Sequence, residues 1–266
     1  MVVSMGAISL EAVGAAGVLA LIRVSVMVAL SPFFNSRAFA ARTKALLSAA
    51  LCWLMVPILA GIAEAAQAPI RLSVSGALGE AAVGAIYGLT LSLFSEMLLL
   101  AGQIVGLQFS FSLVNLLDPA SEIQTPLMGD LFQMFGTLVL ITAGLDRIVI
   151  ASLVRSFRLV PPGSFPLKSI SVVSETLVPA FSGSFLAALE LAAPVLAATL
   201  LVEVSVALLG RLSPQLPVIS LTVPLKTMAG FVVLIGSLAV WPRFMEARFG
   251  HWLDIAECLI VRGGRS

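Results

Sequence analysis

Charge is what this sequence has least of. Only 11% of its 266 residues are Asp, Glu, Lys or Arg, against about 25% in soluble domains. A chain so poor in charge cannot cover a globular surface with polar groups. With 59% hydrophobic residues and a mean hydropathy of +1.10, the solvent it suits is lipid. Metal-binding side chains are scarce as well. His251 is the single histidine, and Cys52 and Cys258 stand far apart, in no CxxC pair. A Cys/His site would need carboxylates from distant helices. Structural or incidental roles are therefore expected for all three residues, with no metal and no cofactor. The net charge of +1 leaves no basic footprint for nucleic acid and no acidic tail. P-loop, HExxH, GxSxG and well-placed GxGxxG motifs are missing, and no nucleophile–base set can be assembled, so no enzyme is expected. A cleavable signal peptide is not expected either, because Glu11 sits where the basic n-region should end.

What the sequence has in abundance is apolar runs. Residues 13–30, 45–63, 81–107, 131–154, 177–209 and 216–240 are each broken by few charges. A helix needs about 20 mainly apolar residues to cross the hydrocarbon core. Transmembrane strands would show shorter, alternating segments. Prolines and polar residues mark the loops at 32–42, 66–79, 118–126 and 161–171. The predicted fold is an all-α, polytopic helical membrane protein with about six long helical elements, in one domain covering 1–266. A simple six-pass bundle fails its charge test. It puts Arg37, Arg42 and Lys44 on one side, and Arg155, Arg158, Lys168, Arg243, Arg248, Arg262 and Arg265 on the other, whereas basic loops belong together. A partial crossing near 106–117, or bent helical hairpins that do not span, would remove the conflict.

The third run carries two GxxxG pairs, Gly84/Gly88 and Gly102/Gly106. Eighteen residues separate the pairs, which is five turns, so both share one face with Ser95 close by. Small residues on one stripe let another backbone approach, either within the chain or in a neighbouring subunit. Beyond it, Leu107, Phe109, Phe111 and Leu113 alternate with Gln108, Ser110 and Ser112, without any Lys or Arg. This stretch reads as a helix end or as an extended loop. Irregular backbone at membrane depth is tolerated only inside protein or along a cavity, where bulky residues would obstruct. Asp118-Pro119 can also start an ordinary turn. The ionisable residues expected at depth are Glu11, Arg23, Glu96, Glu190, Glu203 and Lys226. Such groups face a bundle interior or a water path, as relay residues of a transporter or as pairs fixing helix contacts. Glu11 and Arg23 lie about 120° apart around one helix, so partners must come from other helices or other chains. Pro194, Pro217 and Pro224 suit broken helices, a transporter feature, but no inverted repeat accompanies them.

Several stretches together resemble the FliR family of flagellar export-gate proteins and its SctT-like counterparts in type III secretion injectisomes. They are Ala101-Gly102-Gln103-Ile104-Val105-Gly106-Leu107-Gln108 with Phe111-Ser112 and Asp118-Pro119; Arg23 with Ser31-Pro32-Phe33-Phe34; Ser156-Phe157 with Pro161 and Gly163; and Arg211 with Pro214-Gln215 and Pro224-Leu225-Lys226. Departures fall at Gln103, Phe109-Ser110, Gly144-Leu145 and Pro217. The resemblance implies a non-enzymatic, channel-forming subunit in the bacterial inner membrane, within the flagellar basal body or an injectisome. It would assemble with FliP-like and FliQ-like subunits, beside FlhB-like and FlhA-like export proteins, and unfolded protein substrates would pass. The loop near 106–126 would plug the channel. The candidate plug residues are Gly106, Leu107, Gln108, Phe109, Phe111, Leu113, Asp118 and Pro119. The candidate packing residues are Gly84, Gly88, Ser95, Gly102 and Gly106, and the candidate buried charges are Arg23, Glu96, Glu190, Glu203 and Lys226. A secondary transporter of a small solute, using the carboxylates, is the rival reading.

Overall fold

A helical backbone is the cheapest way to satisfy peptide N–H and C=O groups when the surrounding medium cannot. The computed structural model of this chain describes residues 10–31, 40–65, 72–109, 127–165, 170–213 and 218–264. Among them there are eight helices and no strand. These are α1 (Leu10–Leu30), α2 (Ala41–Ala65), α3 (Val74–Gln108), α4 (Leu127–Thr142), α5 (Leu145–Leu159), α6 (Ile170–Leu212), α7 (Val218–Ser237) and α8 (Trp241–Gly264). Of the candidate plug residues, Phe111, Leu113, Asp118 and Pro119 lie outside the described residues, and so does Pro217.

The chain is a polytopic helical membrane protein. Four stretches are long and apolar enough to cross a membrane: Ala41–Gly61, Val74–Gln108, Val178–Leu212 and Ser220–Ser237. The α4–α5 pair makes a fifth if it is counted as one broken span. Eight helices replace the six long elements expected, for two reasons. The fourth apolar run is split where Gly144 takes φ of 71°, a conformation that favours glycine and ends regular helix. The last helix, α8, has too many charges to register as an apolar run. Its buried face instead repeats at helical spacing through Trp241, Met245, Phe249, Trp252, Leu253, Ala256 and Ile260.

Helix α3 begins seven residues earlier than its apolar run suggests. Ser73 caps it, its hydroxyl accepting the Gly76 N–H at 3.0 Å. With 35 residues it is about 52 Å long at 1.5 Å per residue, well beyond the hydrocarbon core. At its far end the Phe109 N–H still donates to the Val105 carbonyl at 3.2 Å. Residues 107 and 108 therefore belong to a helix end and not to an extended strand. Prolines interrupt the hydrogen-bond ladders of α2 at Pro57 and of α7 at Pro224.

The chain divides into two compact units. Unit 1 comprises Met1–Leu93, Gly144–Phe181 and Gly250–Ser266, and unit 2 comprises Phe94–Ala143 and Ser182–Phe249. In unit 1, α1 packs along α2, where the Cys52 thiol donates to the Gly17 carbonyl at 3.4 Å. It also packs against the first half of α3 through the first glycine pair. A methyl group on Gly84 would run into the Arg23 carbonyl, and one on Gly88 would lie 2.6 Å from Leu30 Cβ. In unit 2 the second pair meets the start of α4. A methyl group on Gly102 would collide with the Met128 carbonyl and lie 2.6 Å from Gly129 Cα, while one on Gly106 would sit 3.3 Å from Met128 Cβ. All four glycines are thus occupied by helices of the same chain. Aromatic contacts complete the core of unit 2: Phe94 meets Phe249 edge-on with centroids 5.1 Å apart, and Phe132 meets Trp241 at 4.6 Å.

Burial differs sharply among the apolar helices. Of the most apolar part of α3, 67% is buried inside the chain, against 11% for α7 and 22% for α2. Trp53 on α2, Leu200 and Leu201 on α6, and Met228, Val232 and Ile235 on α7 stand exposed. An apolar surface of that extent needs lipid or another subunit to cover it.

Candidate functional site

The polar groups that an apolar chain retains are costly, and so they mark where structure or function requires them. Unit 1 holds the most enclosed set. Arg23 of α1 and Glu80 of α3 are both fully buried and face each other in a two-point ion pair. Arg23 Nε donates to Glu80 Oε2 at 2.6 Å and Nη2 donates to Oε1 at 3.0 Å. The remaining guanidinium donors reach α5 and its end: Nη1 donates to the Ser156 hydroxyl at 3.0 Å and Nη2 to the Val160 carbonyl at 3.1 Å. Phe157 lies under the guanidinium, 4.2 Å from Cζ to ring centroid, adding a cation–π contact. Glu80 Oε1 also accepts the Gly163 N–H at 2.8 Å. Gly163 has φ of 81°, so the turn after α5 needs glycine to aim that N–H inward. The result is one charge pair that ties α1, α3, α5 and the following turn together, with each charge met by hydrogen bonds.

A second polar set lies in the same unit. Tyr87 donates to the Ser152 carbonyl at 3.1 Å, the Ser152 hydroxyl donates to Glu257 Oε1 at 2.7 Å, and Arg155 pairs with the other oxygen of Glu257 at 3.0 Å. Arg155 is 60% exposed, so this pair contributes at most about 1 kcal/mol.

Unit 2 contains the helix end at Gln108 and two ion pairs. Phe109 is buried, stacked on Phe231 of α7 with centroids 4.6 Å apart, and its ring lies against Gly230. The Thr199 hydroxyl of α6 is 3.4 Å from Gln108 Oε1, and Gln133 of α4 donates to Ser95 Oγ at 3.2 Å. Lys226 of α7 pairs with Glu203 of α6. Arg248 of α8 pairs with Glu190 of α6 and lies over the Phe244 ring. A cavity of about 490 Å³ opens beside Glu190, between Leu191, Pro194, Val233 and Trp241. No group of three His, Cys, Asp or Glu side chains among the described residues is arranged to hold a metal ion.

The residues singled out from sequence therefore separate. Arg23 and Lys226 are buried. Glu96, Glu190 and Glu203 are exposed on the surface of the single chain, where only lipid or another subunit could bury them. Among the described residues, Glu80 is the fully buried acid, and it is enclosed together with donors from Arg23 and the Gly163 N–H. Glu80 was itself overlooked, because it stands at the polar head of its apolar run. A signal for it existed: it lies one turn before Gly84 on the stripe that meets α1. Ser156 and Gly163 stood out only within the stretches that carry the resemblance, and Tyr87, Ser152 and Glu257 carry no signal, since nothing local indicates their partners.

A family model described as bacterial export proteins, family 1, matches residues 15–252. The chain is 26% identical to the flagellar biosynthetic protein FliR of Escherichia coli over 242 residues, covering 90% of each chain. It is 28% identical to the FliR protein of Caulobacter vibrioides over 238 residues, which is 88% of this chain and 92% of that one. With the FliR protein of Bacillus subtilis it shares 27% identity over 165 residues, 62% of this chain and 64% of that one.

Proposed function

Because the chain belongs to the bacterial export proteins, family 1, we propose that it is a structural, channel-forming subunit of the bacterial flagellar type III protein-export gate. It sits in the inner membrane at the flagellar basal body and assembles with FliP-like and FliQ-like subunits, close to FlhB-like and FlhA-like export proteins. Its cargo is unfolded protein, and it performs no chemistry on that cargo. The observation that carries this reading is the family match across most of the chain, with relatives named as flagellar biosynthetic proteins. The exposed apolar sides of α2, α6 and α7 support a place among other membrane helices. The test is deletion of the gene from its flagellated host. The expected result is loss of flagella and of flagellar proteins exported to the medium, both restored by the gene on a plasmid. Normal flagella in the deletion strain would contradict the reading, and loss of an injectisome's secreted proteins instead would move the chain to that system.

Within this function, the end of α3 and the stretch after it form the plug. Bulky apolar residues block ions by excluding water, and Leu107 and Phe109 begin such a stretch. Phe109→Ala, co-expressed with the partner subunits, is expected to let ions and small solutes enter while the complex stays intact. Solute uptake and growth measure it. A tight membrane with an intact complex would remove the plug assignment. Loss of assembly would make Phe109 a packing residue, as its contact with Phe231 also allows.

A further inference from the structure

From Phe94 to Phe109, α3 is enclosed except along one line. Only Glu96, Gln103 and Leu107 are exposed in this stretch. Their spacings of seven and four residues put them within about 40° of one another around the helix. The opposite side is closed by Met97, Leu98, Ala101 and Val105, all buried, and Ser95 is turned inward to Gln133. Two of the three exposed side chains are polar, on a helix long and apolar enough to span a membrane.

Glu96 is the informative one. It makes no hydrogen bond or ion pair with any described residue of the chain. It lies about 18 Å along the axis from Gln108 and about 33 Å from Val74 at 1.5 Å per residue, so it stands within the body of the helix and not at either end. Glu190 and Glu203, which are also exposed on an apolar helix, are each met by a cation of this chain. Glu96 is not. Its flanks are Leu99, Leu100 and Ile104, half-buried, which make a poor wall for a water-filled path but a good dry border for a charge pair.

Resting on the reading of this chain as a gate subunit, we propose that the line Glu96–Gln103–Leu107 is a docking face for a helix of a neighbouring subunit, and that a lysine or arginine of that helix pairs with Glu96. Gln103, with both donor and acceptor groups, hydrogen-bonds to the same helix about two turns further along, and Leu107 supplies apolar contact at the end of the line. The cation is chosen by the unmatched carboxylate, and the helical form by the straight, narrow shape of the open line.

The chain is co-expressed with the neighbouring gate subunits, extracted in mild detergent and captured by a tag on this chain. Glu96→Lys is expected to lower the amount of retained subunits by more than about tenfold, and Glu96→Gln by less. Entry of newly made chain into the membrane, read by pulse labelling, should be unchanged, because Glu96 makes no hydrogen bond or ion pair with any described residue. Equal retention by Glu96→Lys and wild type would overturn the proposal. A second readout places Glu96→Cys in a Cys52→Ala, Cys258→Ser background and treats the assembled complex in intact cells with a membrane-impermeant maleimide. Protection is expected, and labelling would overturn the proposal by assigning Glu96 to a water-lined path. If the wild-type chain retains no subunit at all, the gate reading fails and this inference falls with it.

Discussion

Arg23→Ala is expected to be among the most damaging single substitutions in this protein. Breaking a buried pair by removing one partner costs about 3–5 kcal/mol, because the other charge stays buried and unmatched. That is a large part of a typical stability of about 5–15 kcal/mol. Glu80 would lose both Arg23 contacts and keep only the Gly163 N–H. Glu80→Gln should be nearly as harmful, since it leaves the guanidinium charge buried. Arg23→Lys cannot substitute for Arg23, because an ammonium does not reproduce the planar fork that reaches Glu80, Ser156 and Val160 together. The double variant Arg23→Met, Glu80→Leu should be milder than either single loss, since no charge then remains buried. Its recovery stays partial, because the Val160 carbonyl and the Gly163 N–H lose their partners. Membrane levels after a chase and thermal unfolding in detergent measure the series. If the double variant proves as unstable as the two singles combined, the pair is not acting as one unit.

The glycine stripe should give the second large effect, with its controls built into the same chain. Gly84→Ala would drive a methyl group into the Arg23 carbonyl, and Gly102→Ala into the Met128 carbonyl and Gly129. Backbone atoms cannot swing away as a side-chain end can, so the helices must move apart. Overpacking of this kind costs about 1–3 kcal/mol and sometimes more. Gly84→Leu and Gly102→Leu should prevent stable folding of their units altogether. At Gly14, Gly17 and Gly61 an added methyl meets nothing within 4 Å. Alanine there should be neutral or should stabilise the helix by about 0.5–1 kcal/mol. Unfolding temperatures of the five alanine variants should therefore fall into two groups. A Gly84→Ala chain as stable as Gly17→Ala would remove close packing from the account of the α1–α3 contact.

The helices were legible in the sequence because the hydrocarbon core demands long apolar runs, and those runs lie where α1, α2, α3, α6 and α7 are found. The Gly84, Gly88, Gly102, Gly106 stripe was legible because it depends on helical period alone. Which helix it meets was not, because α1 and α4 approach it through backbone atoms of Arg23 and Met128 that no side-chain pattern reveals. The α8 helix was hidden for the opposite reason to the others: Arg243, Glu246, Arg248, Asp254 and Glu257 break its apolar run, and only one face is buried. Arg23 was visible as a charge in an apolar run, but its partner stands 57 residues away. A single sequence does not encode pairing at that distance. Glu96, Glu190 and Glu203 looked alike in sequence, as isolated acids among apolar residues. Among the described residues, cations of the same chain reach Glu190 and Glu203 but not Glu96, which is a tertiary fact.

The central claim is that this chain is built into a multi-subunit protein-export gate and does not work alone. The direct measurement is the mass of the particle that carries it. The chain is tagged, expressed in a membrane with and without the FliP-like and FliQ-like subunits of the same organism, and purified in mild detergent. Native mass spectrometry should find one discrete complex containing all three kinds of subunit when they are co-expressed, and an unstable or aggregating chain when this protein is expressed by itself. A stable single-chain particle that ignores the other two subunits, and takes up a small solute when placed in vesicles, would contradict the account.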